Sequence, residues 1–186
     1  MSAPRDEAAR FTVRLATLRD VAALESLIAE SVRVLQAPDY TAEQREAALG
    51  TVFGVDTQLI RDCTYFVIES GIEIVACGGW SRRRTLFGSD HQADREDALL
   101  DPKAEAARIR AFFVRPGWER RGLGSRIMHT CESAARAEGF RKLELGSTLT
   151  GVALYRSHGF VPEREIEAPL PGGLTLPVVL MSKTLE

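Results

Sequence analysis

Polar and apolar positions alternate near the start of the chain. Phe11, Val13 and Leu15 share one face of residues 11–15, the period of a strand. The period then lengthens. Leu18, Val21, Ala22, Leu24, Leu27, Ile28, Val32 and Leu35 recur at helical spacing, and the helix must end before Pro38. Thr17 is its candidate N-cap, with Asp20 near the first turn. A weaker helix is predicted from about Thr41 to Leu49, where Gly50 and Gly54 loosen the chain. The run 65–68 reads as a buried strand, Ser70-Gly71 as a tight turn, and 72–80 as a returning strand. Gly78-Gly79 inside that strand marks a bulge or a close backbone approach.

Residues 81–103 are polar, charged and weakly periodic, which predicts an inserted loop with one short helix. A loop that long within a compact domain is functional or disordered. Residues 107–114 form the strongest strand candidate, ended by Arg115-Pro116-Gly117. A helix then runs from Leu123 or Gly124 to about Ala137, with Leu123, Ile127, Met128, Cys131, Ala134 and Ala135 on one face. Gly139 stops it. Further elements are a strand over 142–145, a short helix over 151–157 halted by Gly159, and strands over 160–166 and 174–184 around Pro171-Gly172-Gly173. The order β, α, α, β, β, β, α, β, α, β, β predicts a mixed α/β fold. Its first half is mostly antiparallel, and a βαβ unit follows. Residues 1–10 read as a flexible tail, and 11–186 as a single domain carrying the 81–103 insertion.

Composition narrows the function. A chain of 186 residues, 45% hydrophobic, can bury a core without disulfides or metals. Its net charge of -2 supplies no global basic field, which argues against nucleic-acid and membrane partners. Residues 1–10 lack the apolar run of a signal peptide, and no segment suits a bilayer span. Three cysteines without close spacing predict reduced thiols and a cytoplasmic protein, with Cys77 and Cys131 in the core.

The segment 109–125 carries the chemistry: a strand, a turn with two arginines, Gly122-x-Gly124, then a helix. Glycines admit close backbone approach to a ligand. A helix start offers unpaired N–H groups and a positive dipole end to phosphate oxygens. Arg120 and Arg121 add charge, and Ser125 adds a hydroxyl. The predicted result is a pyrophosphate cradle. A P-loop would need Gly-Lys-Ser/Thr after the glycines, and a dinucleotide fingerprint would need a small residue where Ile127 stands. The plain alternative is a tight strand–helix turn with solvated arginines.

A second motif follows about thirty residues later: Ala153-Leu154-Tyr155-Arg156-Ser157-His158-Gly159-Phe160. Taken together, the two motifs and the element order resemble the GNAT superfamily of acyl-CoA N-acyltransferases. The matching residues are Val114-Arg115-Pro116, then Glu119-Arg120-Arg121-Gly122-Leu123-Gly124, Leu143-Glu144-Leu145, Leu154-Tyr155 and Gly159-Phe160. Two positions depart from the family pattern: Glu119 replaces a usual Gln or Arg, and Thr148 stands where many members have Asn. The resemblance implies a mostly antiparallel sheet with a splayed central strand pair and helices on both faces. It implies that Phe112, Phe113 and Val114 border the pantetheine arm of acetyl-CoA, the co-substrate, as an added strand would. An amide near Phe113 or Val114 would polarise the thioester carbonyl. Arg120, Arg121, Gly122, Leu123, Gly124 and Ser125 would hold the pyrophosphate. Tyr155 would protonate the departing thiolate, as catalytic acid. The reaction implied is direct acetyl transfer to a primary amine of a small molecule in a ternary complex, and a homodimer is the candidate assembly.

The acceptor side is less defined. Strand alternation puts Ile109, Ala111 and Phe113 on one face and Arg108, Arg110 and Phe112 on the other. Arg108 and Arg110 are candidates to line the acceptor groove and favour an acceptor bearing a carboxylate, or else to pair with Glu144 or Glu105. Tyr40 is a candidate facing wall. Glu73, Glu105, Asp97, Glu43 and Gln44 are unranked candidates to serve the amine proton. Asp90, His91 and Asp94 lack the second histidine that would suggest a metal, and none is expected. The competing readings are a catalytically inactive acyl-CoA-binding module, a nucleotide enzyme of another class, and a protein N-acetyltransferase.

Overall fold

A computed structural model describes residues 11–92 and 95–185; the expected tail lies outside them. The strands are β1 Phe11–Leu15, β2 Tyr65–Ser70, β3 Glu73–Ser81, β4 Ala107–Val114, β5 Lys142–Thr148, β6 Val161–Pro169 and β7 Thr175–Thr184. The helices are α1 Val21–Leu35, α2 Ala42–Ala48, α3 Thr57–Arg61, α4 Leu123–Ala137 and α5 Val152–Ser157. The strands form one sheet in the order β1-β2-β3-β4-β5-β7-β6. All neighbours are antiparallel except β4 and β5.

Local chemistry explains the boundaries. Thr41 Oγ1 accepts from the Gln44 amide at 3.1 Å, and the Gln44 side chain accepts from the Thr41 amide at 3.0 Å. This reciprocal pair starts α2 where the sequence placed a start. Gly139, at φ +93°, ends α4 in a conformation that costs most other residues energy. Helix α3 was not foreseen. It has five residues, too few for a periodic signal, and depends on the Asp56 carboxylate accepting from the Gln58 amide at 3.0 Å.

Two apolar layers clasp the sheet. On one face Leu24, Leu27 and Ile28 of α1 pack with Tyr65, Val67 and Phe113. On the other, Ile127, Met128 and Cys131 of α4 pack with Ile68, Val75, Ile109 and Leu143. Cys77 and Cys131 are buried, as expected, and all three cysteines are unpaired. No helix among the described residues is long and apolar enough to cross a membrane.

The 81–103 segment is more ordered than its sequence suggests. Among its described residues there is no helix; instead its two arms pair. The amides of Thr85, Arg84 and Leu100 donate to Glu96 O, Ala98 O and Arg82 O at 2.9, 3.0 and 2.8 Å. The arginine triplet is spent internally: Arg82 on Glu138, Arg83 on Asp62 and Arg84 on Glu105, at 2.8, 2.6 and 2.9 Å. Such pairs fix the loop on the domain rather than presenting a basic face.

Candidate active site

Strands β4 and β5 pair only at Ala107–Leu143 and Arg108–Glu144. Beyond that they diverge, while β5 stays paired to β7 along its whole length. The β5-facing edge of 109–114 therefore has no strand partner among the described residues. Unmet main-chain donors and acceptors must then face solvent or a ligand. The opening is a cleft of about 690 Å³.

A bulge in β4 changes its faces. Cys77 pairs with Phe113 and Gly79 with Arg110, so two residues of β4 oppose Gly78 alone. Ala111 adopts φ +56°, and its carbonyl accepts from the buried Tyr65 hydroxyl at 3.2 Å. Simple alternation fails as a result. Ile109 packs with Phe112 and Val114 on the α4 side, whereas Ala111 and Phe113 face α1. Gly78 makes this possible, since a Cβ there would lie 2.6 Å from the Phe112 ring. The glycine pair had marked the position of the bulge, though the extra residue lies on the partner strand.

The turn after β4 is anchored before it reaches the cleft. Arg115 pairs with Glu30 at 2.7 Å and with Glu73 at 3.0 Å. Arg120 and Gly122 then take positive φ, +64° and +75°, and turn the chain into α4. Gly122 caps that helix without a side-chain acceptor, and Arg126 is the first residue whose amide bonds back, to Gly122 O at 3.0 Å. The amides of Leu123, Gly124 and Ser125 thus start a helix with no intrahelical partner. Gly124 has a different task from Gly122: a Cβ there would lie 2.9 Å from Leu154 Cδ2, so its absence lets α5 approach α4. Ser125 Oγ lies 2.9 Å from His158 Nε2. Burial, aided by His129, lowers the pKa of that imidazole, which keeps it neutral at pH 7.

Phe112, Phe113, Val114, Arg120, Gly122, Leu123, Gly124, Ser125 and Tyr155 all line this one cleft. Arg121 lies beside it, its guanidinium 4.7 Å from the Trp118 ring centre. Tyr155, from α5, is buried between Phe112 and Phe160, with ring centres 6.0 and 5.9 Å away. Its hydroxyl has no hydrogen-bond partner among the described residues. Burial, with a smaller contribution from Cys131, raises its pKa well above the ordinary phenol value, so the group holds its proton.

A second cavity of about 70 Å³ meets the cleft at Gln36, Phe112, Phe113, Thr148 and Tyr155. Leu86, Phe87 and Gly88 of the inserted segment form part of its wall. Arg110 also reaches this wall, but it is engaged. It donates to Asp56 at 2.8 Å, to Thr85 O at 3.0 Å and to Gly88 O at 2.7 Å. Arg108 pairs with Glu144 and lines neither cavity. Tyr40 lines neither cavity as well. Its hydroxyl donates to Pro177 O at 2.7 Å and accepts from the Leu149 amide at 2.9 Å, which ties the α1–α2 connection to the sheet. Burial pushes its pKa up to about 12.

The candidate proton acceptors are also elsewhere. Glu73, Glu105 and Asp97 pair with Arg115, Arg84 and Arg95, and Glu43 and Gln44 lie outside both cavities. Thr148, at the Asn position of the family pattern, lines both cavities while its hydroxyl accepts from the Gly151 amide at 3.2 Å. Gln36 went unnoticed in the sequence because it reads only as a polar residue just past the end of α1; its buried Oε1 has no partner among the described residues. Asp94, of the weighed metal set, lies outside the described residues. Among the described residues no cluster of three or more metal-ligating side chains exists.

An almost antiparallel sheet, opened at one parallel pair with a bare helix start beside the gap, is the architecture of the N-acetyltransferases. Residues 61–162 match the acetyltransferase (GNAT) domain, more than half of the chain, and the chain belongs to that family. Solved structures agree on the fold. A GCN5-related N-acetyltransferase from Rhodopseudomonas palustris superposes with a TM-score of 0.69 at 17% identity, over 94% of this chain and 95% of that one. The PaiA N-acetyltransferase from Thermoplasma acidophilum, in complex with coenzyme A, gives 0.63 at 12% identity, over 94% and 98%. The ribosomal-protein-S18-alanine N-acetyltransferase from Escherichia coli gives 0.57 at 14% identity, over 95% and 94%. No curated protein matches the sequence.

Proposed function

We propose that this protein transfers the acetyl group of acetyl-CoA directly to a primary amine of a small molecule. The observation that carries the reading is the junction of the two cavities. A long cleft ending in bare helix amides meets a small side cavity, and Tyr155 stands where they join. The residues fit an acyl-CoA. The start of α4 suits a pyrophosphate, and the open edge of β4 suits the amide-bearing pantetheine arm. Acetyl-CoA supplies an activated acyl group.

The chain's own residues do the rest. An amide at Phe113 or Val114 polarises the thioester carbonyl and stabilises the oxyanion formed when the amine nitrogen bonds to its carbon. As the carbon–sulfur bond breaks, Tyr155 gives its proton to the thiolate, and the new ammonium loses one to water. The phenol regains a proton from solvent. Direct transfer agrees with Cys77, the cysteine lining the cleft, being a poor nucleophile. Burial pushes its pKa up to about 12, far from the thiolate form. A cytoplasmic location and a homodimer are compatible with this reading.

Thiol release from acetyl-CoA with a panel of primary amines tests it, with mass analysis of the product. The account expects amine-dependent release and an N-acetyl product; binding of coenzyme A without release would indicate an inactive module. The pH profile adds a sharper check. Among the described residues no carboxylate lines the junction, and Glu119 lies on the turn at the cradle end. kcat/KM should therefore fall tenfold per pH unit below the pKa of whichever amine is used. Because Tyr155 is raised, no loss of the acid should appear at the ordinary phenol value of about 10. An acidic break near pH 5 to 6 that ignores the amine's own pKa would point instead to a protein carboxylate as base.

A further inference from the structure

The small cavity is the feature that a general acetyltransferase reading leaves unexplained. It is bounded by Phe53 and Phe113 on the α1 side and by Phe87, Gly146 and Val178 at its far end. A Cβ on Gly146 would lie 3.0 Å from the Phe87 ring and 3.1 Å from Val178, so these three residues close the space tightly. Among the described residues Arg110 is the sole charged side chain in the wall, and its charge is met by Asp56 and two carbonyls. An acceptor's carboxylate or second ammonium would enter without a counter-ion, which a buried site penalises heavily.

The roof is fixed as well. Ser89 donates through its amide to Thr51 O at 2.7 Å and through its hydroxyl to Gly50 O at 2.9 Å. The Asp90 amide donates to Val55 O at 3.0 Å, and Arg95 spans Ser89 O and Asp56 at 2.8 and 3.1 Å. Phe87 is thereby held in place from both sides. At the mouth, the buried Oε1 of Gln36 accepts no hydrogen bond among the described residues. A buried acceptor left unpaired costs about 1–3 kcal/mol, which a ligand N–H at the mouth would recover.

Resting on the acetyl-transfer reading, we propose that this cavity selects a primary amine with a short, uncharged aliphatic group, its length set by Phe87. Size gives the limit. A dry cavity of about 150 Å³ holds a benzene ring, so about 70 Å³ suits about three or four carbons and excludes an aryl group. The amino group then remains at the mouth beside Gln36 and Tyr155, where the cleft begins.

The test uses initial rates of thiol release from acetyl-CoA with isobutylamine, benzylamine and β-alanine. For the natural chain, kcat/KM for isobutylamine should exceed that for the other two by about tenfold or more. Phe87→Ala should raise the benzylamine value about tenfold and erase the preference. Gly146→Ala, acting in the opposite direction, should depress isobutylamine and leave ethylamine. Neither residue lines the cleft, so coenzyme A affinity by calorimetry should not change in either variant. Phe87→Leu serves if the alanine variant melts early. A preference for β-alanine, or an unchanged ranking in folded variants of both positions, overturns the proposal. Acetylation of an Ala-initiated peptide, with all these amines refused, sinks the proposal while sparing acetyl transfer. No transfer to any amine or peptide, with coenzyme A bound, sinks both.

Discussion

Tyr155→Phe is expected to lower kcat by about 100-fold or more, with little change in coenzyme A affinity. The substitution removes one hydroxyl. The ring contacts with Phe112 and Phe160 survive, so the fold and the cleft should persist. The hydroxyl has no partner among the described residues, so its loss orphans nothing in the core. What disappears is the proton for the leaving thiolate. The raised pKa makes the phenol a weaker acid than tyrosine in water, yet keeps it protonated wherever the enzyme would work. Two measurements separate this role from a packing role. The variant's melting temperature should stay within a few degrees of the parent, and the loss should lie in kcat rather than in KM for acetyl-CoA. An acyl donor with a more acidic thiol should recover part of the rate, because a better leaving group needs less help.

Asp56→Asn is expected to have the largest effect on stability. Asp56 and Arg110 have side-chain exposures of 1% and 2%, and their contact at 2.8 Å is buried. Removing one partner of such a pair leaves a charge uncompensated, at about 3–5 kcal/mol. Burial already lowers the Arg110 pKa to about 10, which shows how strongly the site opposes the bare cation. Asparagine keeps the acceptor oxygen that caps α3, while a donor replaces the oxygen that accepts from Arg110. For a chain of this size the melting temperature should fall by about 10 °C. The double variant Asp56→Leu with Arg110→Met should be milder than Asp56→Asn alone, since the most deeply buried charge, Arg110, is then gone and Arg95 keeps Asp97 at 3.5 Å. If the single variant melts like the parent, the roof of the small cavity is held by something other than this pair. The same variant should also relax amine selectivity, because Arg110 holds the carbonyls on either side of Leu86 and Phe87.

Legibility in the sequence followed the distance between cooperating residues. The elements of the proposed cradle could be read because they are contiguous: a strand, a turn, two glycines and a helix start within 109–125. The splay of β4 from β5 came with the family resemblance, and the pairing confirms it. The faces of β4 could not be read, because a bulge inverts alternation from a single residue, Ala111, whose side chain gives no signal. The acceptor cavity was hidden for another reason. Its walls come from the end of α1, the 52–54 turn, the inserted segment, β4, β5 and β7. Arg110 and Asp56 are 54 positions apart, and Tyr40 reaches Pro177 across 137. Pairing over such distances has no periodic signature. Strand position alone made Arg108 and Arg110 equivalent, whereas the fold gives them different partners, Glu144 and Asp56.

The central claim is that the gap between β4 and β5 receives an acyl-CoA with its acyl end at Tyr155. A crystal soaked with acetyl-CoA tests it most directly. The account predicts pyrophosphate density on the amides of 123–125, pantetheine along 112–114, and the thioester sulfur within hydrogen-bonding reach of the Tyr155 hydroxyl. Ligand density elsewhere on the protein, or a thioester remote from Tyr155 with the gap left to water, would contradict it.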